Sequence, residues 1–258
     1  MSLDNKATLV SALARGISII RCFSPTAQEL SGRELMELTG LPKPTLFRLL
    51  DTLCELGLLR YSERISKYLP GIALLNMSAP VLARMTIRQL ARPLMEDLAN
   101  HINGQLQLSV GSGFSLVYAE LAHGRQSQVF RPEIGMHLSL SRTASGRAYM
   151  CTWPENEREK FLEKLQDQDA EQARWLESRL ANAAQDLKEH GFCRSHGDLH
   201  REIVTIAVPM KKPLDGETWV FAVSVPIFSE QSKRFESDLG PRLITVVRGV
   251  EAALGNIS

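Results

Sequence analysis

The first apolar pattern of the chain lies in residues 7–23, where hydrophobic side chains recur every three or four positions. They are Leu9, Leu13, Ile17 and Ile20. This spacing places them along one face of an α-helix, and we expect that face to be buried. A Ser-Pro-Thr segment at residues 24–26 then interrupts the pattern, because proline disfavours helical backbone in the residue before it.

A short second helix is predicted next. The spacing of Ser31 and Glu34 is typical of a capping box, in which each side chain binds the other residue's free backbone amide. Gly40 lies where a left-handed residue ends a helix of about two turns. Leu35 and Leu38 are expected to face inward.

The third predicted helix is longer, begins near Pro44 and ends at Gly57. Its apolar stripe consists of Leu46, Leu49, Leu50, Leu53 and Leu56. The opposite face is mainly polar and basic, with Lys43, Thr45, Phe47, Arg48, Asp51 and Thr52. A short helix, a tight turn and a longer helix of this kind are typical of a helix-turn-helix.

Two short strands, residues 58–61 and 68–69, flank a polar turn and predict a β-hairpin, which is a wing when it follows a recognition helix. We expect Thr45 and Arg48 to contact base edges in the major groove, beside Lys43 and Phe47 on the same face. Arg64 and Lys67, near the hairpin tip, are expected to bind phosphates. The alternative interpretation is a packing module of three helices and a hairpin that binds no DNA.

The remaining pattern predicts a linker and a second domain. Residues 72–77 are helical in pattern, Pro80 is expected to open a helix to about Gln89, and Arg92-Pro93 to allow a bend into a helix over 94–101. The predicted organisation is therefore a DNA-binding domain over 1–71, a linker helix region over 72–91 and a regulatory domain over 92–258.

Strand and helix patterns alternate in the regulatory domain. Residues 105–110 and 116–121 predict an antiparallel hairpin, with a turn at 111–113. Further strands are predicted at 202–208 and 218–225, and helices at 144–150, 155–165, 173–190 and 230–254. This distribution predicts an α+β fold.

Composition narrows the class of protein. The 258 residues are 44% hydrophobic and 23% charged, with a net charge of +1, so any DNA contact depends on a local arrangement of charges. No apolar run reaches the roughly 18 residues of a membrane span, and the first residues lack a signal-peptide pattern. Four dispersed cysteines (Cys22, Cys54, Cys151 and Cys193) indicate reduced thiols. We expect a cytoplasmic protein without a membrane partner.

Separate blocks of the chain resemble one family. Residues 41–53 and 56–59 resemble the recognition helix and first wing strand of the IclR family of regulators, and 68–71 the end of its wing. Residues 143–148, 189–192 and 205–210 resemble signatures of its effector domain. The resemblance implies a ligand-responsive transcriptional regulator with a GAF-like antiparallel sheet, acting on double-stranded operator DNA as a homodimer or homotetramer.

The same resemblance implies where an effector binds. Carried over position by position, the effector residues are Ala144, Ser145, Ser195, Ile203, Thr205, Ser224 and Pro226. A helix N-terminus near Ser145 favours an anion, so we expect a small carboxylic acid. Arg142 is a candidate for a bidentate clamp on its carboxylate, the alternatives being a solvated arginine or an internal ion pair.

Two other classes of function were weighed. His190, Cys193, His196 and His200 are metal-ligand residue types in a short segment, which leaves a metal-responsive regulator as an alternative although the spacing is no standard zinc pattern. An enzyme is the other alternative, but no nucleophile elbow, phosphate-binding loop or dinucleotide fingerprint is present. We therefore predict no catalytic residues, cofactor or resident metal.

Overall fold

The computed structural model describes residues 10–127, 129 and 131–255, and the chain divides into two compact units between Arg84 and Met85. The first unit contains helices α1 (Ser11–Ile20), α2 (Gly32–Thr39), α3 (Lys43–Glu55) and α4 (Ile72–Arg84) and strands β1 (Leu59–Ser62) and β2 (Lys67–Pro70). We call it the DNA-binding unit. The second, which we call the effector unit, begins at Met85.

The predicted helix-turn-helix is confirmed. The capping box forms as expected, because the Ser31 side chain accepts from the Glu34 amide at 3.2 Å and the Glu34 carboxylate accepts from the Ser31 amide at 2.7 Å. Gly40, with φ of 66°, ends α2 in the left-handed region that glycine tolerates best. Helix α3 begins three residues after Gly40, at Lys43, and its buried leucines, Leu46 and Leu50, pack into the core of the unit.

The predicted wing is present as the antiparallel pair β1–β2, with Arg60 opposite Leu69. Tyr68 also exchanges both backbone hydrogen bonds with Leu30, the residue before the cap of α2. The wing is therefore fixed to the start of the helix-turn-helix as well as to its own partner strand.

The predicted buried face of the first helix is wrong at Leu13 and Ile17, while Ile20 is partly buried and packs against the core of the unit. Leu13 and Ile17 of α1 are 67% and 40% exposed, whereas Ile19 is fully buried; Leu9 lies outside the described residues. Leu38 and Leu56, also expected to face inward, are 61% and 60% exposed. Periodicity identifies an apolar stripe but not the surface that covers it, and this stripe is left open by the residues described.

The predicted bend at Arg92-Pro93 is also wrong. The break lies at Met85, and α5 (Thr86–Ile102) continues through Pro93 without interruption. Its buried side chains, from Ile87 through Met95 to Ile102, pack continuously against the sheet. This packing stabilises the helix on both sides of the missing amide hydrogen bond, so tertiary contacts override the local preference of proline.

The effector unit is built around a mixed arrangement of helices and one sheet. Its strands are β3 (Gln105–Ser112), β4 (Ser115–His123), β5 (His137–Ser139), β6 (Cys193–His196), β7 (Ile203–Pro209) and β8 (Trp219–Pro226). Its helices after α5 are α6 (Ala144–Cys151), α7 (Glu155–Gln168), α8 (Ala170–Glu189), α9 (Glu230–Lys233) and α10 (Gly240–Gly255). The single helix predicted over 230–254 is thus divided, with a π-helical turn at Phe235–Leu239 before α10.

The strands form an antiparallel sheet in the order β5-β4-β3-β8-β7-β6. One face packs on α5 and α10 through large apolar side chains such as Leu106, Phe221 and Leu243. The other face is covered by α6, α7 and α8, partly through small residues such as Ala148, Ala183 and Ala207. The predicted α+β class is confirmed, and the second face is the one that carries the site.

Candidate effector cavity and nucleic-acid interface

A row of polar side chains crosses the helix-covered face of the sheet. Gln105 of β3 lies opposite Ser224 of β8, which lies opposite Thr205 of β7, which lies opposite Ser195 of β6. Gln105, Ser224 and Ser195 are all less than 10% exposed. Polar side chains are rarely buried in a protein unless they form hydrogen bonds or bind a ligand. A row of such side chains on four adjacent strands therefore indicates a candidate site.

These side chains are connected by hydrogen bonds. Gln107 Nε2 donates to Gln105 Oε1 at 3.0 Å and to Ser224 Oγ at 3.1 Å. The Thr205 and Ser224 hydroxyls lie 2.9 Å apart, and Gln105 Nε2 lies 3.0 Å from His123 Nε2. The hydroxyl and amide groups are therefore pre-oriented, and they form the polar floor of a cavity.

The N-terminus of α6 forms another wall. The Thr143 hydroxyl caps the helix by accepting from the Gly146 amide at 2.9 Å, and it donates to Ser139 O at 2.8 Å. The backbone amides of Ala144 and Ser145 lie in the first turn of α6, where an amide has no carbonyl acceptor within the helix. A Cβ on Gly146 would lie 2.3 Å from Leu140 O, so only glycine lets the preceding loop lie this close to the helix.

A buried ion pair secures the same corner. Arg147 of α6 is 3% exposed and its Nη2 lies 2.7 Å from Asp198 Oδ2. The guanidinium also donates to Ser141 O and Arg194 O, while the Ser195 hydroxyl donates to the same Asp198 oxygen at 2.8 Å. Arg147 thus joins the loop before α6, strand β6 and the loop after β6.

The groups line a partly open cavity of about 50 Å³. Of the predicted effector residues, the structure brings together Arg142, Ala144, Ser145, Ser195, Ile203, Thr205 and Ser224 around it. Pro226 lies at the end of β8, two residues beyond Ser224 and opposite Ile203, and is not among the lining residues.

Arg142 lies at the rim of this cavity and is exposed. Its guanidinium is 5.9 Å from the centre of the Trp175 ring, a ring that also lies 5.7 Å from Arg147 and 5.2 Å from Arg179. The Arg142 amide donates to Ser139 Oγ at 3.2 Å, which fixes the backbone of the residue. An exposed cation held at the mouth of a cavity is available to an entering anion.

Sequence reasoning missed several lining residues, namely Gln105, Gln107, Tyr118, Val129, Leu138, Thr143, Asp198, Leu199 and His200. The alternation of Gln105 and Gln107 with leucines predicts only one strand of a hairpin. A signal was present in the choice of residues, since glutamine is uncommon in strands, but burial of the polar face depends on α6, which is distant in sequence.

Burial changes the acid–base properties of this region. Desolvation raises the pKa of Tyr118 far above that of a free phenol. Desolvation lowers the pKa of His123 below its ordinary value, and Arg131 acts in the same direction against Glu133. Near neutral pH, these shifts favour an uncharged phenol and an uncharged imidazole at the edge of the polar floor.

The histidine and cysteine segment forms no metal centre in the part of the chain that the structure describes, where no group of three or more ligand side chains comes together. Cys193 is buried and donates to Ala183 O at 3.4 Å, while His190 stacks on Phe192 with ring centres 5.7 Å apart. His200 contributes to the cavity instead. The metal-responsive alternative therefore lacks a site among these residues.

In the DNA-binding unit, Arg48 is exposed on the side of α3 opposite its buried leucines. Thr45 and Arg48 also line a groove of about 630 Å³ between α1 and α3, together with Leu13 and Ile17. Phe47 lies on the other flank, where its ring rests on Gly32, and Lys43 Nζ is 5.9 Å from the ring centre. Thr45 and Arg48 are therefore presented outward, and Phe47 contributes to packing between α2 and α3.

The two predicted wing residues differ in their surroundings. Arg64 is exposed at the hairpin tip. Lys67 is half-buried, with Nζ 3.6 Å from Glu34 Oε2 and 3.4 Å from Glu29 O. The Lys67 ammonium is shared with the capping carboxylate of α2, so a phosphate would compete with Glu34 for it.

A winged helix-turn-helix, together with a second unit that carries a small polar cavity, is the organisation of a one-component transcriptional regulator. Comparison with known proteins places the chain more narrowly. Residues 12–63 match the IclR helix-turn-helix domain, and residues 79–252 match the C-terminal domain of bacterial IclR transcriptional regulators. The chain belongs to the IclR family, as its sequence blocks indicated, and the resemblance is confirmed.

Individual relatives of the chain are transcriptional regulators or IclR homologs as well. The chain is 31% identical over 250 residues to the HTH-type transcriptional regulator TsaQ1/TsaQ2 of Comamonas testosteroni, covering 95% of this chain and 89% of that one. An IclR family regulator from Brucella abortus is 34% identical, with a TM-score of 0.85 over 97% of this chain and 94% of that one. An IclR homolog of Microbacterium hydrocarbonoxydans, crystallised with 4-hydroxybenzoate, has a TM-score of 0.74 at 19% identity, covering 95% and 100%.

Because the IclR family consists of transcriptional regulators, the chain is a DNA-binding regulator and not an enzyme. None of the helices that the structure describes combines the length and apolar character needed to cross a membrane.

Proposed function

We propose that the chain is a ligand-responsive transcriptional regulator whose effector is a small carboxylic acid bound in the cavity of the effector unit. The observation that carries this proposal is the polar row of Gln105, Ser224, Thr205 and Ser195, which lines the same partly open cavity as the N-terminus of α6. A site built of aligned hydrogen-bonding groups and a helix N-terminus suits a small polar anion.

The carboxylate is assigned to the end of the cavity at α6. The backbone amides of Ala144 and Ser145 supply donors, and the helix dipole favours negative charge there. Arg142 at the rim supplies a guanidinium that can bind the carboxylate in a bidentate manner. Trp175 supports the same guanidinium from the side through a cation–π contact.

The polar floor favours an effector with a second polar group. This group would lie at the end of the effector away from its carboxylate and would form hydrogen bonds with the floor. The Thr205 and Ser224 hydroxyls and the Gln105 amide already bond to neighbouring side chains, and an effector with an apolar tail would cover them without using their remaining donors and acceptors, at a cost of about 1–3 kcal/mol for each one left unmet. A hydroxylated acid meets both ends of the site. The 4-hydroxybenzoate bound to the Microbacterium hydrocarbonoxydans homolog has this combination of groups.

Operator DNA is assigned to the outward face of α3. Arg48 and Thr45 contact base edges, and Lys43 and Arg64 bind phosphates on either side. Lys67 takes a phosphate only by giving up its contact with Glu34. Phe47 shapes the surface by holding α2 against α3.

A homodimer or homotetramer is supported by the open apolar stripe of α1 and by exposed apolar residues of α4. Leu13 is 67% exposed, and Ile72, Leu75 and Met77 are each more than 60% exposed. Contiguous exposed apolar side chains indicate a surface that another chain covers. Two copies also match the two half-sites that a symmetric operator presents.

The experiment that tests this function measures operator affinity with and without acid. The purified chain is titrated into a fluorescent DNA fragment from upstream of its own gene, in the presence of single carboxylic acids. The proposal expects tight binding that changes by about 5–150-fold with at least one hydroxylated acid. Binding that no acid alters would overturn the effector assignment, and absence of any DNA binding would overturn the operator assignment.

A further inference from the structure

A continuous chain of side-chain hydrogen bonds runs from His123, at the end of β4, to Thr205 on β7. His123 Nε2 lies 3.0 Å from Gln105 Nε2, and Gln105 Oε1 accepts from Gln107 Nε2 at 3.0 Å. The same Gln107 nitrogen donates to Ser224 Oγ at 3.1 Å, and the Ser224 and Thr205 hydroxyls are 2.9 Å apart. We call these residues the relay. His123 is the member of the relay that is not among the lining residues of the cavity.

The direction of donation along the relay is set by His123. A neutral imidazole has one nitrogen that donates and one that accepts, whereas an imidazolium donates from both. Because Gln105 presents its NH2 group to His123 Nε2, this nitrogen is the acceptor, and the ring is neutral with its proton on Nδ1. Gln105 Oε1 is thereby turned toward Gln107, which presents its own NH2 group to Gln105 and to Ser224.

This direction determines what the polar floor offers to a ligand. Among the described residues, the side-chain hydroxyls of Ser224 and Thr205 bond to each other and to Gln107. Since Gln107 donates to Ser224, one hydroxyl proton is enough to join Ser224 and Thr205. The second hydroxyl proton remains for the cavity, so the hydroxyl pair donates a hydrogen bond to the effector while His123 is neutral.

Protonation of His123 would reverse each bond in turn. An Nε2–H that faces the Gln105 NH2 group places two donors together, and a half-turn of the Gln105 amide relieves this conflict. Gln105 then donates to Gln107, which makes the same half-turn and accepts from Gln105 and Ser224 with its oxygen. One hydroxyl proton is now used by Gln107 and the other joins Ser224 to Thr205. The hydroxyl pair has no proton left for the effector and can only accept.

We propose that His123 is a positioning residue that sets the hydrogen-bond polarity of the cavity through the relay. When its ring is neutral, the hydroxyl pair of Ser224 and Thr205 selects an effector whose second polar group accepts a hydrogen bond. When its ring is protonated, the pair selects a group that donates. This assignment of specificity rests on the function proposed above, whereas reversal of the relay is a property of the protein without ligand.

The surroundings of His123 favour the neutral state near neutral pH. Burial lowers the pKa of the ring, and Arg131 lowers it further, while Glu133, on the same segment between β4 and β5, acts in the opposite direction. On the side of β3 the ring meets the uncharged Gln105 amide. Beyond the end of α5, the uncharged Asn103 lies against the residue that follows His123. The relay is therefore expected to reverse below the ordinary imidazole range.

The first test follows the relay in the full-length protein without ligand. Glutamine side-chain amides and imidazole rings are isotope-labelled and followed by NMR from about pH 8 to pH 5. The side-chain amide signals of Gln105 and Gln107 are expected to shift together with the His123 ring, at one common midpoint. His123→Gln, which can still accept from Gln105 but does not titrate, should abolish both shifts. His137→Gln, which removes an exposed histidine of β5, should leave them unchanged.

This titration decides the relay whether or not an acid binds. The proposal is overturned if His123 titrates while the Gln107 amide does not respond, because the reversal would then stop before it reaches the hydroxyl pair. It is also overturned if the two amide signals shift in His123→Gln as they do in the wild type, or if His123 stays neutral down to the pH at which the protein unfolds.

The second test compares two probes that differ at the group away from the carboxylate. 4-Hydroxybenzoate can accept or donate at its hydroxyl, whereas 4-methoxybenzoate can only accept, and any steric effect of the added methyl group is independent of pH. From about pH 8 to pH 5, the dissociation constant of 4-methoxybenzoate relative to that of 4-hydroxybenzoate should rise about tenfold or more in the wild type. The ratio should stay constant in His123→Gln.

The two tests separate the relay from the proposed function. A constant ratio of dissociation constants in the wild type would overturn the assignment of specificity to His123. Failure of both probes to bind would overturn the proposed effector class and with it the specificity assignment, while the NMR titration would still decide whether the relay reverses.

Discussion

The Arg147 guanidinium lies 2.7 Å from the Asp198 carboxylate in the interior of the effector unit. Arg147 lies on α6 two residues after Ser145, and Asp198 belongs to the loop between β6 and β7 and lines the cavity. The pair therefore holds the helix whose N-terminus faces the proposed carboxylate against the loop that closes the other side. Its position makes the shape of the cavity depend on one buried ion pair.

Replacing Arg147 with methionine should destabilise the protein, because Asp198 would keep a buried charge without a partner. We expect the free energy of unfolding to fall by about 3 kcal/mol, measured by urea titration followed by circular dichroism. Arg242→Met is the matched control, since Arg242 pairs with Asp238 at an exposed position and should change stability by less than about 1 kcal/mol. Equal effects of the two variants would show that the buried pair has no special structural role.

A second buried charge group fixes the first half of α5. Glu120 is 3% exposed and its Oε2 lies 3.0 Å from Arg88 Nη2 and 2.7 Å from Arg92 Nη2. Glu120→Gln should lower the free energy of unfolding by about 2–4 kcal/mol, because Arg88 is itself only 12% exposed. Glu230→Gln, which removes an exposed carboxylate paired with Lys233, should leave the urea midpoint unchanged. A loss of similar size in both would contradict the prediction.

The hydroxyl of Thr205 is expected to contribute to effector binding and not to folding. Thr205→Val keeps the shape of the side chain but leaves Ser224 without its partner at 2.9 Å and removes one donor from the floor. The dissociation constant of the effector, measured by isothermal titration calorimetry, should rise about tenfold or more. Thr245→Val, on the exposed face of α10, should bind as the wild type does. Unchanged affinity in Thr205→Val would place the effector elsewhere.

Operator binding should depend on Arg48. Arg48→Ala should weaken binding to the operator by about 1–3 kcal/mol and relax the preference for one base pair, if the side chain contacts a base as proposed. Arg174→Ala changes the net charge equally on an exposed part of α8 and should leave operator affinity unchanged. Fluorescence anisotropy with operator and scrambled DNA distinguishes these results. A uniform loss on both DNAs would make Arg48 a phosphate contact instead.

The shifted pKa of His123 predicts how stability responds to acid. Its pKa is lowered in the folded state by burial and by Arg131, so the unfolded chain takes up a proton first as the pH falls. The stability contributed by the neutral ring is complete above the ordinary imidazole pKa and is lost as the pH falls below it. The urea midpoint should therefore fall more steeply below pH 6.5 for the wild type than for His123→Gln. If the urea midpoints of the wild type and of His123→Gln changed in parallel with pH, the lowered pKa of His123 would be contradicted.

The DNA-binding unit could be predicted well because its signals are local. The Ser31 and Glu34 cap, Gly40 and the leucines of α3 act within a few residues of one another, and each does what the sequence pattern indicated. What pattern alone could not supply was the partner surface. Leu13 and Ile17 form an apolar stripe that the described residues leave exposed, which a single-chain pattern cannot distinguish from a core face.

The candidate effector cavity could be predicted only where the family blocks specified it. Thr205 and Ser224 were located by resemblance, and the structure places their hydroxyls side by side. Gln107 and Asp198 were missed because their importance arises from contacts between residues far apart in sequence, such as the hydrogen bond of Gln107 with Ser224. The bend assigned to Pro93 failed for a related reason, since the packing of α5 on the sheet outweighs a local proline effect.

The most direct test of the central claim is a thermal-shift titration of the full-length protein with a panel of small carboxylic acids that includes 4-hydroxybenzoate. A ligand that binds only the folded state raises the melting temperature in proportion to its occupancy. We predict a rise of several degrees with at least one hydroxylated acid, retained in Thr245→Val and lost in Arg142→Ala and Thr205→Val. No shift with any acid, or an equal shift in Thr205→Val, would contradict the assignment of this cavity as the effector site.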